Sequence, residues 1–376
     1  MYGCDGKNRA FEFDGTVMSP ISTGIAVDTP AHLAIHKWHF FLSFFGSIQH
    51  SAPGDPIFNA ITGAGEIGLG SSVTGFLSLP GTQTSATLAV FSLNEVSILY
   101  GTSALDWNLA VYKKEVGAYE NTIKIAGNIF FLDERGITTI APSQVYGNFE
   151  TAVVSKAIQS WISGKGASVK DSCVVREKNQ YRLFFSDGSA LYLTQDNGAV
   201  QGIMPIVFVD PVECVCSSED AAGSEAIFFG STDGFVYQME RGTSFDGDEI
   251  ESFLELAYNH YGSPHITKRW RKMVLGVSGE GYSEVYAGYF LNYGDGAVVQ
   301  APETLLEMGL NALFWDDGLF WDAGLAWDGA SILPLPMYMS GSGYNLSIQL
   351  RSNSDCFSQM KVSGAQILYT PSRIMR

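Results

Sequence analysis

One figure recurs along this chain and limits its possible folds more than any other feature. It is an apolar stretch, a turn built on Asp or Gly, and a second stretch rich in β-branched residues. The clearest copy is residues 128–142, NIFFLDERGITTIAP, where Ile129, Phe130, Phe131 and Leu132 precede the turn and Ile137, Thr138, Thr139 and Ile140 follow it. Aromatic and β-branched residues flanking such a turn specify a β-hairpin. Tyr181–Thr194 turns at Asp187-Gly188, and Ala226–Met239 at Asp233-Gly234. Weaker copies are Ala10–Met18, Phe40–Ser51 and Ala89–Gly101. Spacings of roughly 30–55 residues match the period of β-propeller blades. A lone hairpin cannot bury both of its faces, whereas hairpins packed radially can. Residues 1–243 are therefore expected to form an all-β propeller of about six irregular blades.

Beyond residue 243 the pattern changes. Ser252–Tyr261, His265–Val277 and Tyr282–Asn292 read as longer strands, with Tyr344–Leu350 and Gln359–Tyr369 near the end. Residues 244–376 are accordingly expected to form a second, β-sandwich-like domain. The boundary falls where Gly, Ser and Asp crowd together near Glu240–Asp248. One helix is expected within the first domain. Phe149, Val153, Val154, Ala157, Ile158, Trp161 and Ile162 fall at helical spacing, and Gly164 ends the run.

Composition narrows the function classes. With 46% apolar and 16% charged residues, the chain is globular rather than disordered. No apolar run approaches the ~18 residues that cross a bilayer, and no apolar stretch near the N-terminus suits a signal peptide. Membrane insertion is not expected, and the protein is expected to be made in the cytosol. A net charge of −17 opposes ordinary nucleic-acid binding, which rests on neutralising phosphates. It suits a wall along which DNA slides without sticking.

Candidate chemistry is sparse. His32, His36 and His39 invite a zinc reading, but a single continuous strand would send His39 to the opposite face, and no carboxylate completes a triad. Cys214-x-Cys216 is read as buried free thiols rather than a metal pair. Gly63, Gly65 and Gly68 spell G-x-G-x-x-G inside a Gly/Ser/Thr/Pro-rich stretch, residues 51–86. The helix that a dinucleotide fingerprint requires is implausible there, so the stretch is read as loop. No H-E-x-x-H, G-x-S-x-G or Walker A pattern occurs. No catalytic residue, cofactor or metal is expected, and the chain is not expected to be an enzyme.

Two stretches stand out as surfaces. In FWDDGL-FWDAGL-AWDG, Trp315, Trp321 and Trp327 recur every six residues, each followed by Asp316, Asp322 or Asp328. Even spacing puts three indoles on one face of a ribbon. Sugar binding by the indoles and ion binding by the carboxylates compete with a chain of tight turns closed by Asp, although the EF-hand order is absent. The basic group Lys268, Arg269, Arg271 and Lys272 is unusual in an acidic chain. Strand alternation sends Lys268 and Lys272 to the face of Trp270, with Arg269 and Arg271 opposite. Both stretches are candidates for a subunit interface, the basic one against an acidic neighbouring subunit.

SILYGTSALDWNL, FFLDERGITTIAPSQVYGNFE and the triple Trp-Asp tract together resemble a family of short-tailed bacteriophage tail proteins: the tail nozzle, tail tubular or packaged-DNA-stabilisation proteins. The likeness covers most of residues 1–376. It implies a propeller carrying a β-sandwich, assembled as a hexameric ring in the virion tail after synthesis in the host cytoplasm. It also implies neighbours: a head-to-tail adaptor ring above, tail fibre or needle proteins beside it, and DNA passing through without specific binding. The ring would retain the packaged genome and conduct it during ejection. Two alternatives belong to other classes: an adhesin that binds host glycans through the Trp-Asp tract, and a propeller glycan hydrolase. The hydrolase would need paired carboxylates on a pocket floor.

Overall fold

The computed structural model of the chain describes residues 1–79, 86–141, 150–196, 198–279, 283–296, 298, 300–308, 333–354 and 360–372. The chain divides into two compact units, Met1–Glu240 and Arg241–Arg376. Both are built of small antiparallel sheets.

The first unit lays down its sheets in chain order. They comprise β1–β3 (Tyr2–Gly3, Phe11–Phe13, Met18–Pro20), β4–β7 (Leu33–His36, His39–Phe44, Ser47–His50, Gly65–Gly68) and β8–β11 (Val73–Ser78, Leu88–Ser92, Glu95–Tyr100, Asn108–Lys114). Then come β12–β15 (Lys124–Ala126, Asn128–Asp133, Gly136–Ala141, Glu150–Val153), β16–β19 (Val169–Val175, Gln180–Phe185, Ser189–Asp196, Ala199–Val207) and β20–β22 (Val212–Glu219, Glu225–Ser231, Val236–Gln238). Every strand pairs with its sequence neighbour, and each of the six expected hairpins lies in a sheet of its own.

In the four middle hairpins the apolar runs are continuous because both sheet faces are covered. From β13, Phe130 and Leu132 pack on Tyr181, Leu183 and Leu191 of the next sheet. Their alternates Ile129 and Phe131 pack on Ala89, Phe91 and Val96 of the previous one. The rings confirm the division: Phe130 stacks on Tyr181 at 5.4 Å between centroids, and Phe131 lies 5.4 Å from Phe91. In the same way Phe40 and Leu42 face the first sheet while Phe41 faces the third. Phe208 bridges Phe184 and Phe229, linking the fifth sheet to the sixth. First strands of neighbouring sheets also run side by side, β4 by β8, β12 by β16 and β16 by β20.

Turn chemistry follows the sequence. Gly136 adopts φ +126°, which a side chain resists, and Asp133 Oδ1 accepts the Arg135 backbone N–H at 2.8 Å. The expected helix is mostly not one. Glu150–Val153 is β15, hydrogen-bonded to Thr138–Ala141, and only Gln159–Ile162 forms an α-helix, α1, after a 3-10 turn at Lys156–Ile158. The edge of β14 needs backbone partners, and that demand outweighs the helical spacing of the apolar residues. The glycine-rich stretch is not all loop either, since it holds β7 and β8. Gly65 sits where a Cβ would lie 2.6 Å from His50 Nε2, so the glycine lets β7 close over the histidine.

The second unit has two four-stranded sheets. One is ordered β23-β29-β25-β26 (Ile250–Glu255, Leu346–Ser354, Ser283–Leu291, Thr304–Met308). In the other, β24 (Lys268–Gly279) pairs with β27 (Leu333–Tyr338) and β28 (Ser342–Gly343) along one edge and with β30 (Met360–Pro371) along the other. They share one core: Trp270, Met273, Leu275 and Val277 from β24 meet Val285, Ala287 and Tyr289 from β25 and Ile348 and Leu350 from β29.

Candidate functional site

The basic group on β24 does not form one face. Lys268 and Trp270 are buried, Arg269 and Arg271 are exposed, and a bulge at Arg271 then shifts the alternation so that Met273 and Leu275 turn inward. Lys272 therefore leaves the Trp270 face, and its Nζ lies 5.6 Å from the centre of the exposed Tyr338 ring. Lys268 is only 2% exposed. Its ammonium donates to the carbonyls of Ser263 (2.7 Å), Ile266 (3.1 Å) and Tyr344 (3.4 Å), and burial lowers its pKa from the usual lysine value. Three carbonyls match its three donors, so Lys268 fastens the loop before β24 and is not a surface charge. Among the described residues the exposed cations on or beside β30 are Arg269, Arg271, whose Nε reaches Thr370 Oγ1 at 3.4 Å, and Lys361. Trp315, Trp321 and Trp327, with Asp316, Asp322 and Asp328, lie outside the described residues.

The same unit carries apolar residues on open strand edges, which the sequence reading did not single out. Among the described residues β23 pairs only with β29, yet Phe253 is 59% and Leu254 47% exposed. Likewise β30 pairs only with β24, with Val362 and Tyr369 partly exposed and Leu368 51% exposed. The detectable signal was IESFLE, where acidic residues interrupt an apolar strand in the manner of edge strands.

In the first unit β12, β16 and β20 line a cleft of about 630 Å³, with Lys124, Cys173, Arg176, Cys216, Glu219 and Glu225 on its walls. Its acidic side chains are engaged within the wall. Arg176 Nη1 is 3.2 Å from Glu219, and Glu225 accepts the backbone N–H groups of Arg176 and Glu177 and the Ser217 hydroxyl. Burial pulls the Glu225 pKa up, but those hydrogen bonds outweigh it and hold the carboxyl below the usual range. Cys214 and Cys216 are exposed rather than buried, because the bulge after Val212 turns both thiols outward. Among the described residues Cys173 is the buried thiol, and its pKa is pushed up to about 12 by desolvation.

The histidines are arranged differently from the single-strand expectation. Lys37 and Trp38 take φ +48° and +67°, so the chain reverses and His36 pairs directly with His39. Paired residues share a face, and His50 joins them against Trp107, 4.4 Å from His50 and 4.7 Å from His39 between centroids. The Nδ1 atoms of His39 and His50 both address the Ser51 carbonyl, at 2.7 and 3.3 Å. Among the described residues no three His, Cys, Asp or Glu side chains converge as metal ligands.

Carboxylates at the turns are committed to backbone. Asp106 accepts the N–H groups of Thr102 and Ser103, which hold its pKa near about 2. Asp187 is likewise lowered to about 2, by the Lys165 ammonium and by Ser189. Asp233 is lowered by the Tyr237 hydroxyl and the Phe235 N–H. Such groups are anions at neutral pH and serve poorly as general acids.

No family model and no curated protein matches this sequence. Solved structures with some similarity include the N-terminal domain of Nup159, at 8% identity and a TM-score of 0.41 over 64% of this chain and 71% of that one. BBS1N in complex with ARL6DN, soaked with mercury, gives 8% and 0.43 over 63% and 72%. The same complex soaked with lead gives 9% and 0.36 over 53% and 56%.

Proposed function

We propose that this chain is a structural subunit of a short-tailed phage tail. It is a six-bladed β-propeller with a β-sandwich-like domain, assembled as a hexameric ring around the DNA exit channel. The observation that carries this reading is the pair of strand edges in the second unit, β23 and β30, that are open among the described residues, with large apolar residues exposed along them. An unpaired edge offers its N–H and C=O groups to another chain, and here the charges on β23 (Glu251, Glu255) and on β30 (Lys361) are of opposite sign, so they favour an unlike edge over a like one. The propeller is supported by six successive sheets, each packed on the next, with first strands side by side at three of the junctions, β4 by β8, β12 by β16 and β16 by β20, as blades around an axis would place them. The conduit role is supported by the net charge of −17, which repels phosphate. In this role the ring sits below the head-to-tail adaptor, retains the packaged genome and conducts it during ejection.

Mass photometry of the purified chain tests the reading. The expected particle is six times the 40.8 kDa protomer. A persistent monomer that also ignores purified adaptor rings would rule the ring out.

A further inference from the structure

Resting on the ring reading, the two edges that are open among the described residues can be assigned to one another. We infer that β30 of one copy pairs edge to edge with β23 of the next, head to tail, so that two sheets continue across the subunit boundary.

The backbone geometry of β23 permits it. Leu256 N–H donates to the Ile348 carbonyl at 2.9 Å, which fixes the even-numbered residues of this strand as the ones bonded to β29. The N–H and C=O groups of Glu251, Phe253 and Glu255 consequently point away from β29, toward the open side. At its far end β30 shows the same alternation: Ser372 N–H bonds the Thr267 carbonyl at 2.8 Å, placing Tyr369 and Pro371 among the outward-directed positions. The twelve residues of β30 are more than enough to cover the six of β23.

Charge selects the pairing. Glu251 and Glu255 are exposed on β23, whereas Lys361 on β30 and Arg269 and Arg271 beside it are exposed and basic. A two-fold β23–β23 contact centred on Phe253 would set Glu251 against Glu255 twice, which like-charge repulsion opposes. Pairing β30 with β23 sets opposite charges together and covers Phe253, Leu254, Val362 and Leu368. The surfaces joined are unlike, so each copy keeps one of each free for its next neighbour, as a closed ring requires.

The test is mass photometry of full-length variants beside the wild type. Phe253→Pro removes an outward N–H and leaves the β29 ladder bonds intact, and the loss of edge bonding should weaken association about tenfold or more. Lys361→Glu alone, and Glu251→Lys with Glu255→Lys, should each weaken it too, while the three charge reversals combined should restore it. A wild type that assembles while all these variants assemble equally well overturns the edge pairing and leaves the ring standing. A wild type that stays monomeric, with and without purified adaptor rings, overturns the ring and the pairing with it. Because the charge reversals sit on exposed positions, they decide the matter even where Phe253→Pro does not fold.

Discussion

At the scale of single residues, most of the polar groups that look chemical in the sequence are structural. Lys268 closes a loop, Asp106 and Asp187 close turns, and His39 and His50 address one carbonyl beneath Trp107. The buried histidines have a consequence for stability. Burial lowers the His36 pKa from 6.5 to about 4, with Lys37 and His39 adding to the effect, and burial also lowers His50 and His32. The unfolded chain then binds more protons than the folded one between those two values, so the contribution is fully present above pH 6.5 and is lost as pH falls toward 4. For His36 the loss reaches at most about 3 kcal/mol. Thermal melts between pH 7.5 and 4 should show a falling midpoint across that window, with a shallower slope in His36→Gln. The lowered carboxylates act in the same direction, their contribution being lost as pH falls from about 4 toward 2, because the unfolded chain takes up protons at Asp106 and Asp187 before the folded one does. A midpoint flat between pH 6.5 and 4.5 would contradict the account.

At the scale of elements, each of the four middle hairpins serves two neighbours through alternate residues, and this can be read as energetic coupling. Phe130→Ala and Phe131→Ala should each cost about 3–5 kcal/mol, since both rings are fully buried. Double-mutant cycles should give about 0.5–1.5 kcal/mol for Phe130 with Tyr181 and for Phe131 with Phe91, and near zero for Phe130 with Phe91. Equal coupling across all three pairs, measured by urea denaturation, would mean the hairpin is not shared in this way. The hairpins were legible because Asp-Gly turns and aromatic strands are local signals. The strands that flank them were less so. Glu150–Val153 carries a helical spacing and becomes β15 because an adjacent edge needs a partner, and β7 hides in a glycine-rich run because His50 leaves no room for a Cβ. The histidine face was misjudged for a related reason. Two residues with positive φ, Lys37 and Trp38, reverse the chain where the sequence offers no Gly or Asn to announce a turn. The candidate interface was legible only in part. Arg269 and Arg271 are exposed as alternation requires, but the bulge that separates Lys272 from Lys268 depends on pairing with β30, about a hundred residues away in sequence.

At the scale of the whole molecule, charge is the property that bears most directly on the proposed conduit. A chain with a net charge of −17 assembled six-fold presents DNA with a strongly repulsive body. Two of the few clustered cations, Arg269 and Arg271, lie beside β30 and are assigned to a neighbouring subunit, while Lys268 is buried against carbonyls. The remaining cations are outnumbered by 39 Asp and Glu, and without a basic face to neutralise phosphates there is little counterion release to favour binding. The assembled protein should therefore not retard duplex DNA at about 10 µM and about 50 mM salt, conditions under which ordinary non-specific binders do. Dilution below the assembly threshold should expose Arg269, Arg271 and Lys361 and still give no retardation, because the surrounding acidic surface outweighs three cations. A mobility shift that weakens steeply with salt would mean that the protein grips DNA through phosphates, and the non-adhesive conduit would have to be abandoned even if the ring itself were seen.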